Sequence, residues 1–307
     1  MKELVVISGK GGTGKTSVVA SFAALTKNAV LADCDVDAAD LHLLLEPTIR
    51  RRGEFSGGSR ARITVADCVG CGTCEELCRF DAISHNASTN GGNNTTFRVD
   101  PIACEGCGVC AHFCEAGAIE FAPVVNGEWF VSDTRCGPMV HARLGIAEEN
   151  SGKLVSLVRT KARKLAEQRK LDLVLIDGAP GIGCPVIASI TGADFILVVT
   201  EPTLSGLHDL ERVTDLTRHF GVKTLVCINK WDLNVELSRE IETRARQRGV
   251  ELAGNIRYDP AVTEAQIDKR ALVEYTERGG SVDIKQVWSE VSGALGRLTL
   301  ALKVSTE

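Results

Sequence analysis

Short apolar runs alternate with stretches of helical periodicity along most of this chain. Leu4 to Ser8 and Ala29 to Asp33 read as buried strands, with a helical pattern from Gly14 to about Lys27 between them. Leu171 to Ile176, Phe195 to Thr200 and Thr224 to Ile228 have the same strand character. Helical stretches over about Ser205 to His219 and Leu237 to Gln247 separate or follow them. Apolar runs without alternation belong to strands covered on both faces. The alternation of strand and helix predicts an α/β fold with a mostly parallel sheet covered by helices on both faces.

The middle of the chain breaks this pattern. Ile49 to Arg62 (IRRRGEFSGGSRAR) is polar, basic and glycine-containing, and reads as a linker with solvated arginines. Cysteine-rich sequence with little helical periodicity fills Ile63 to about Val124, after which the α/β pattern resumes. Asn150 or Ser151 is placed to cap a helix reaching about Lys170, with Leu154, Val158, Ala162 and Leu165 on one face. Val282 to Leu302 reads as a final helix turning Ile284, Val287, Trp288, Val291 and Leu295 inward. The expected organisation is a discontinuous main domain over 1–56 and 126–307, with a smaller α+β module over 57–125.

Composition narrows the function classes. With 307 residues, 44% of them hydrophobic, the chain can bury a sizeable core. Its net charge of −5 gives no overall positive field to attract nucleic acid. Met1 to Ile7 lacks the pattern of a secretory signal, no apolar run approaches the roughly 20 residues of a spanning helix, and the closing helix lacks a basic membrane-surface face. A cytoplasmic protein without a membrane anchor is expected. In that compartment thiols stay reduced, so twelve cysteines point away from disulfides.

Gly9-Lys10-Gly11-Gly12-Thr13-Gly14-Lys15-Thr16 fits the G-x-x-x-x-G-K-[ST] phosphate loop, after a strand and before a helix. Its N–H groups and the following helix N-terminus favour phosphate, with Ser17 continuing the contact surface. Lys15 is placed for the β- and γ-phosphates and the Thr16 hydroxyl for Mg²⁺. Asp177 ends the apolar strand LDLVLID, where a Walker-B acid holds Mg²⁺. Gly181, in DGAPG, offers an N–H to a γ-phosphate, and Asp33, Asp35 and Asp37 follow the second strand. Asn229-Lys230-Trp231-Asp232 has the N-K-x-D form that reads guanine in GTPases, and Ile256-Arg257-Tyr258-Asp259 reads as a second base-side loop. These residues leave ATP and GTP both open.

The K-G-G-x-G-K-T form, with lysine at position 10, resembles the MinD/ParA family, which includes the nitrogenase iron protein. The resemblance implies a Mg²⁺-dependent ATPase in which Lys10 reaches the nucleotide of a dimer partner and Asp35 positions the attacking water. Asp177 with Gly181 would form the second switch, and Asn229, Tyr258 and Asp259 would lie near adenine. Further stretches, DCDVDAADLH at 33–42, ENSGKLV at 149–155, GAPGIGCPV at 178–186 and EPT at 201–203, resemble MinD-superfamily ATPases that carry an inserted ferredoxin domain.

Cys68, Cys71, Cys74 and Cys78 form a C-x₂-C-x₂-C-x₃-C run, repeated at Cys104, Cys107, Cys110 and Cys114. Paired runs of this kind mark bacterial two-cluster ferredoxins, whose fourth cysteine in each run serves the other cluster. That resemblance implies two [4Fe–4S] clusters, one on Cys68, Cys71, Cys74 and Cys114, the other on Cys104, Cys107, Cys110 and Cys78. Arg79 and Glu115 stand where those ferredoxins have proline. Zinc also binds thiolates, but its sites seldom use three cysteines at x₂ intervals plus a fourth. Cys34, Cys136, Cys184 and Cys227 lack partners at ligand spacing and read as small buried side chains.

Two functions accommodate these motifs. One couples a nucleotide-driven change in a homodimer, or a heterodimer with a related ATPase, to electron transfer toward a redox partner. The other is an ATPase that assembles or delivers an iron–sulfur or other metal–sulfur cofactor to a client.

Overall fold

The computed structural model describes residues 1–86, 95–145 and 151–304. The chain begins with β1 (Lys2–Ser8), α1 (Lys15–Leu25), β2 (Ala29–Asp33), α2 (Leu41–Leu45) and β3 (Thr48–Phe55). Then come β4 (Gly58–Ile63), α3 (Thr73–Glu76), β5 (Ile83–Asn86), β6 (Thr96–Val99), α4 (Val109–His112) and β7 (Ile119–Val124). It returns through β8 (Gly127–Thr134), β9 (Gly137–Leu144) and α5 (Ser151–Arg169). The remainder is β10 (Leu173–Pro180), α6 (Cys184–Ile190), β11 (Phe195–Thr200), α7 (Leu204–His219), β12 (Lys223–Asn229), α8 (Val235–Gln247), β13 (Glu251–Ile256), α9 (Ala261–Ile267), α10 (Leu272–Tyr275) and α11 (Gly280–Val304).

Two compact units emerge: Met1–Gly53, Trp129–Arg143 and Ser151–Glu307 form one, Glu54–Glu128 with Leu144–Asn150 the other. The first unit is built on a nine-stranded sheet in the order β13-β12-β11-β1-β10-β2-β9-β8-β3. Its central pairs are parallel, with Val5 beside Ile176, Leu175 beside Leu31 and Val198 beside Val226. Seven strands, β1, β2, β9, β10, β11, β12 and β13, run parallel and therefore end on one edge, where an open α/β sheet binds its ligands.

Helices seal both faces because their apolar stripes meet the strands' continuous apolar runs. Leu154, Val158 and Ala162 of α5 are buried. On α11, Ile284, Val287, Val291 and Leu295 are buried, while Trp288 packs 4.8 Å, centroid to centroid, from the fully buried Phe22. Thr203 caps α7 by accepting from Gly206 N, and Asn234 caps α8 by accepting from Leu237 N. No helix among the described residues is long and apolar enough to cross a membrane.

The second unit has two small antiparallel sheets, β4 with β7 and β5 with β6. Here the expected linker over 49–62 is corrected: it contains β3 and β4. Residues 48–52 are exposed on both faces of β3, an edge strand, so no apolar alternation betrays it. The arginines Arg50, Arg51 and Arg52 are solvent-exposed as read. Sequence reasoning also passed over β8 and β9, although Met139 and Val140 of β9 are fully buried beside β2.

Candidate functional site

The phosphate loop joins β1 to α1 at the sheet edge just described. Gly14 adopts a left-handed φ of 87° at the helix N-cap, and a Cβ there would lie 2.3 Å from Asn229 Nδ2. Only glycine meets both demands. Asn229 donates to Thr13 O at 2.7 Å and Lys230 Nζ to Gly12 O at 3.1 Å, so the N-K-x-D segment buttresses the loop. Asp232 in turn accepts from Tyr258 N at 2.7 Å, tying the loop after β12 to the loop after β13.

Lys15 lies within a buried carboxylate cluster. Its Nζ is 2.5 Å from Asp177 Oδ1 and 3.4 Å from Asp35 Oδ2. Burial lowers the Lys15 pKa, but Asp177 and then Asp35 outweigh it and the net shift is upward. Asp33 is fully buried, its two oxygens accepting from Asp35 N and Leu41 N at 3.2 Å each. Burial, with the nearby Asp177 carboxylate, holds Asp33 well above the usual carboxylate range, and burial also raises Asp35. Asp37 is exposed.

Asp177 and Asp35 thus share one ammonium, with the Asp33 carboxyl beside them, and a divalent cation would favour the ionised form of all three. Asp177 Oδ2 is buried and has no hydrogen-bond partner among the described residues. Thr16 follows Lys15 on the first turn of α1. The donor set is all oxygen, the chemistry Mg²⁺ prefers.

Around this centre the remaining predicted residues fall into place unevenly. Gly181 has a φ of 91° and donates its N–H to Ser8 O at 2.8 Å, so in this state that N–H is engaged within the protein. Ser17 Oγ accepts from Gln266 Nε2 at 3.0 Å. Asp259 accepts from the Ala261 and Gly280 amides, and Tyr258 is exposed. Gly9, Gly11 and Gly12 lie in the loop itself.

Sequence reasoning missed the role of Glu201. Its carboxylate bridges Lys10 Nζ at 2.8 Å and Lys230 Nζ at 3.1 Å. Ser205 Oγ and Thr203 Oγ1 complete the Lys10 environment at 2.9 and 3.2 Å. The signal was an acid immediately after the apolar strand β11, at the same sheet edge as Asp33 and Asp177.

In the second unit, Cys68, Cys71, Cys74 and Cys114 line one cavity together with Ile63, Phe97 and Ala118. Cys104, Cys107 and Cys78 lie around Cys110, whose pKa is raised by burial, opposed by a backbone hydrogen bond at Ala111 and reinforced by these neighbouring thiols. Each set joins three cysteines of one run to the fourth of the other. The two loops are equivalent: Gly72 at φ 83° starts α3, and Gly108 at φ 75° starts α4. Among the described residues no three His, Cys, Asp or Glu side chains converge on a single point for one metal ion.

The other four cysteines divide. Cys34 and Cys227 are buried, with burial pushing the Cys227 thiol up to about 12, and Cys136 is half-buried. Cys184 is exposed, correcting the expectation that it is buried. It is the first residue of α6, ahead of the face on which Val186 and Ile190 turn inward.

Comparison with known proteins places this geometry. Residues 4–273 match the CobQ/CobB/MinD/ParA nucleotide binding domain family. Uncharacterized protein MJ0578 of Methanocaldococcus jannaschii is 36% identical over 236 residues, covering 76% of this chain and 79% of the relative. Among solved structures, the cell division ATPase MinD of Pyrococcus furiosus shares the fold with a TM-score of 0.55 at 17% identity, over 95% of this chain and 99% of that one. The septum site-determining protein MinD of Pyrococcus horikoshii, complexed with Mg-ADP, gives 0.55 at 16% identity over 97% and 98%. The family match covers most of the sequence and includes the phosphate loop, Asp35, Asp177 and Asn229, so the chain belongs to the CobQ/CobB/MinD/ParA family and is a P-loop ATPase of MinD/ParA type.

Proposed function

We propose that this ATPase couples nucleotide-driven dimerisation to electron transfer from two [4Fe–4S] clusters held in its second unit to a partner protein. The observation that carries the reading is the cavity shared by Cys68, Cys71, Cys74 and Cys114. A four-iron cluster places each thiolate on a different iron, so its ligands surround a space instead of converging on one point. Cys104, Cys107, Cys110 and Cys78 would hold the second cluster. Such clusters supply one-electron donors and acceptors, and the protein tunes them through burial and hydrogen bonds to sulfur.

At the nucleotide site, Thr16 and Asp177 would hold Mg²⁺, with Lys15 turning from Asp177 toward the β- and γ-phosphates. Asp35 would orient the attacking water, and Gly181 would exchange its bond to Ser8 O for a phosphate oxygen. Lys10 would leave Glu201 to reach the nucleotide of a second copy or of a related ATPase. Asn229, Tyr258 and Asp259 would flank the base. Asp232 already accepts from Tyr258 N, which favours ATP over a guanine-reading role for that acid.

Cys71 and Cys107 are exposed, which supports a second reading, assembly or delivery of a metal–sulfur cofactor. Anaerobic preparation followed by iron and labile-sulfide assay separates these cases. The electron-transfer reading predicts about eight irons per chain, as two four-iron clusters require, retained through ATP turnover. Iron released to an apo-acceptor on hydrolysis would favour delivery. Stoichiometric zinc with little iron would exclude both.

A further inference from the structure

A groove of about 530 Å³ in the first unit lies outside the nucleotide site. One wall is the face of β8 that carries Trp129, Val131 and Asp133, at alternate positions along the strand. The other is a face of α5 carrying Lys161, Lys164 and Leu165, with Arg50 and Arg51 of β3 completing it. Five cations line this space, counting Arg169, against the single carboxylate of Asp133. Asp133 is already shared between Arg50 at 2.8 Å and Arg169 at 3.2 Å. In a chain of net charge −5, cations gathered in one concavity repel one another, and burial together with Lys164 lowers the Lys161 pKa.

The site has a defined floor. A Cβ on Gly53 would lie 2.4 Å from the Trp129 ring, so glycine there lets the indole lie against the β3 backbone. Lys161 Nζ sits 3.3 Å from the ring centroid, a cation–π contact that covers the indole. With Lys161 over one face of that ring, stacking of a base there, which single-stranded nucleic acid would use, competes with a cation. β3 ends the sheet order, so its outer edge pairs with no strand among the described residues. Charge on an edge strand would by itself deter aggregation. Deterrence does not require α5 to bring Lys161, Lys164 and Arg169 to the same groove.

We propose that this groove docks an extended acidic segment of a partner protein, laid along the β3 edge with its carboxylates toward Arg51, Lys161 and Lys164. Strand addition supplies backbone pairing, and the groove supplies the selection for acidic side chains. The inference is independent of the iron–sulfur reading.

The test uses the full-length protein and a fluorescein-labelled peptide of alternating Glu and Thr, followed by anisotropy at low and moderate salt. The peptide is expected to bind, to weaken as salt rises, and to change Trp129 emission, a change that Trp129→Phe abolishes. Arg51→Glu combined with Lys164→Glu should weaken binding at least tenfold while ATP turnover is unchanged. The same peptide N-methylated at alternate residues, unable to pair with β3, should also bind at least tenfold more weakly. Absence of peptide binding overturns the proposal, as does binding indifferent to the charge reversal or to N-methylation. Binding of inorganic polyphosphate or oligo-dT in place of the peptide overturns it too.

Discussion

Lys10 Nζ lies 2.8 Å from Glu201 Oε1, so the lysine expected to act on a partner's nucleotide is held within its own chain. The same carboxylate holds Lys230, whose Nζ reaches Gly12 O. Lys10→Ala is therefore expected to leave nucleotide binding within a few-fold of wild type while abolishing turnover and ATP-dependent dimerisation. Steady-state hydrolysis and light scattering measure the two effects, and unchanged turnover would remove the trans role. Glu201→Gln frees Lys10 from its counter-charge and should shift the dimerisation midpoint to lower ATP concentration.

Among the described residues, Lys15 is the one cation in contact with the buried carboxylates of Asp177 and Asp35. Lys15→Ala should abolish tight Mg–ATP binding. It should also destabilise the nucleotide-free protein by up to about 3–5 kcal/mol, the scale for breaking a buried pair. The carboxylates left behind would have folded pKa values above their unfolded ones. Their protonated form is compatible with burial at acidic pH, so the destabilisation should grow as pH rises toward neutral. Urea unfolding of wild type and variant across pH 5 to 8 tests the slope. A pH-independent difference would contradict it.

His141 offers a test of opposite sign. It is buried, accepts or donates a hydrogen bond with Ser132 Oγ at 3.0 Å, and stacks 6.3 Å from His42. Burial, then His42, lowers its pKa from 6.5 to about 4. The folded protein thus binds this proton less readily than the unfolded chain. Stability from neutral His141 is complete above about pH 6.5 and is lost as pH falls toward 4, on the order of 3 kcal/mol in total. His141→Gln should flatten that part of the pH–stability curve. NMR titration of the imidazole checks the shift itself.

Much of the main fold was legible because buried parallel strands carry uninterrupted apolar runs. The reading Ala29 to Asp33 for β2 matches the structure, and the readings for α7 and α11 fall within two residues of the observed ends. β3 was illegible for the converse reason: five successive exposed residues give it no apolar alternation, and it is held by backbone pairing at the sheet edge and by contacts to distant residues such as Trp129 and Asp133. The phosphate loop, Asp35 and Asp177 could be found from spacing, since their chemistry is local to a strand end. Glu201 carries the same strand-end signal, but its role does not follow from it, because its partners Lys10 and Lys230 are distant in sequence and meet only in the fold. Cys184 departs from the buried reading because it stands at the exposed start of α6, off the face on which Val186 and Ile190 turn inward.

The two cysteine sets give a variant-specific expectation. On the proposed crossed ligation, Cys114→Ala should remove the cluster assigned to Cys68, Cys71 and Cys74, and leave the one assigned to Cys104, Cys107, Cys110 and Cys78. Electron paramagnetic resonance of reduced protein, with iron per chain falling by about half, distinguishes this from the uncrossed scheme. Loss of the Cys104-run cluster instead would reverse the ligand assignment.

The most direct test of nucleotide–redox coupling is a redox titration of the anaerobic protein with and without Mg–ATP, in wild type and Asp35→Ala. A ligand moves an equilibrium only by its differential affinity for the two states, and the effect is reciprocal. A coupling of about 1–3 kcal/mol is typical of allostery, which for a one-electron couple is tens of millivolts or more, since a tenfold change corresponds to about 59 mV. Mg–ATP is expected to shift at least one midpoint potential by that amount, and Asp35→Ala, expected to be blocked in hydrolysis, to hold the shift. Titrations that superimpose with and without nucleotide, in both proteins, would contradict it.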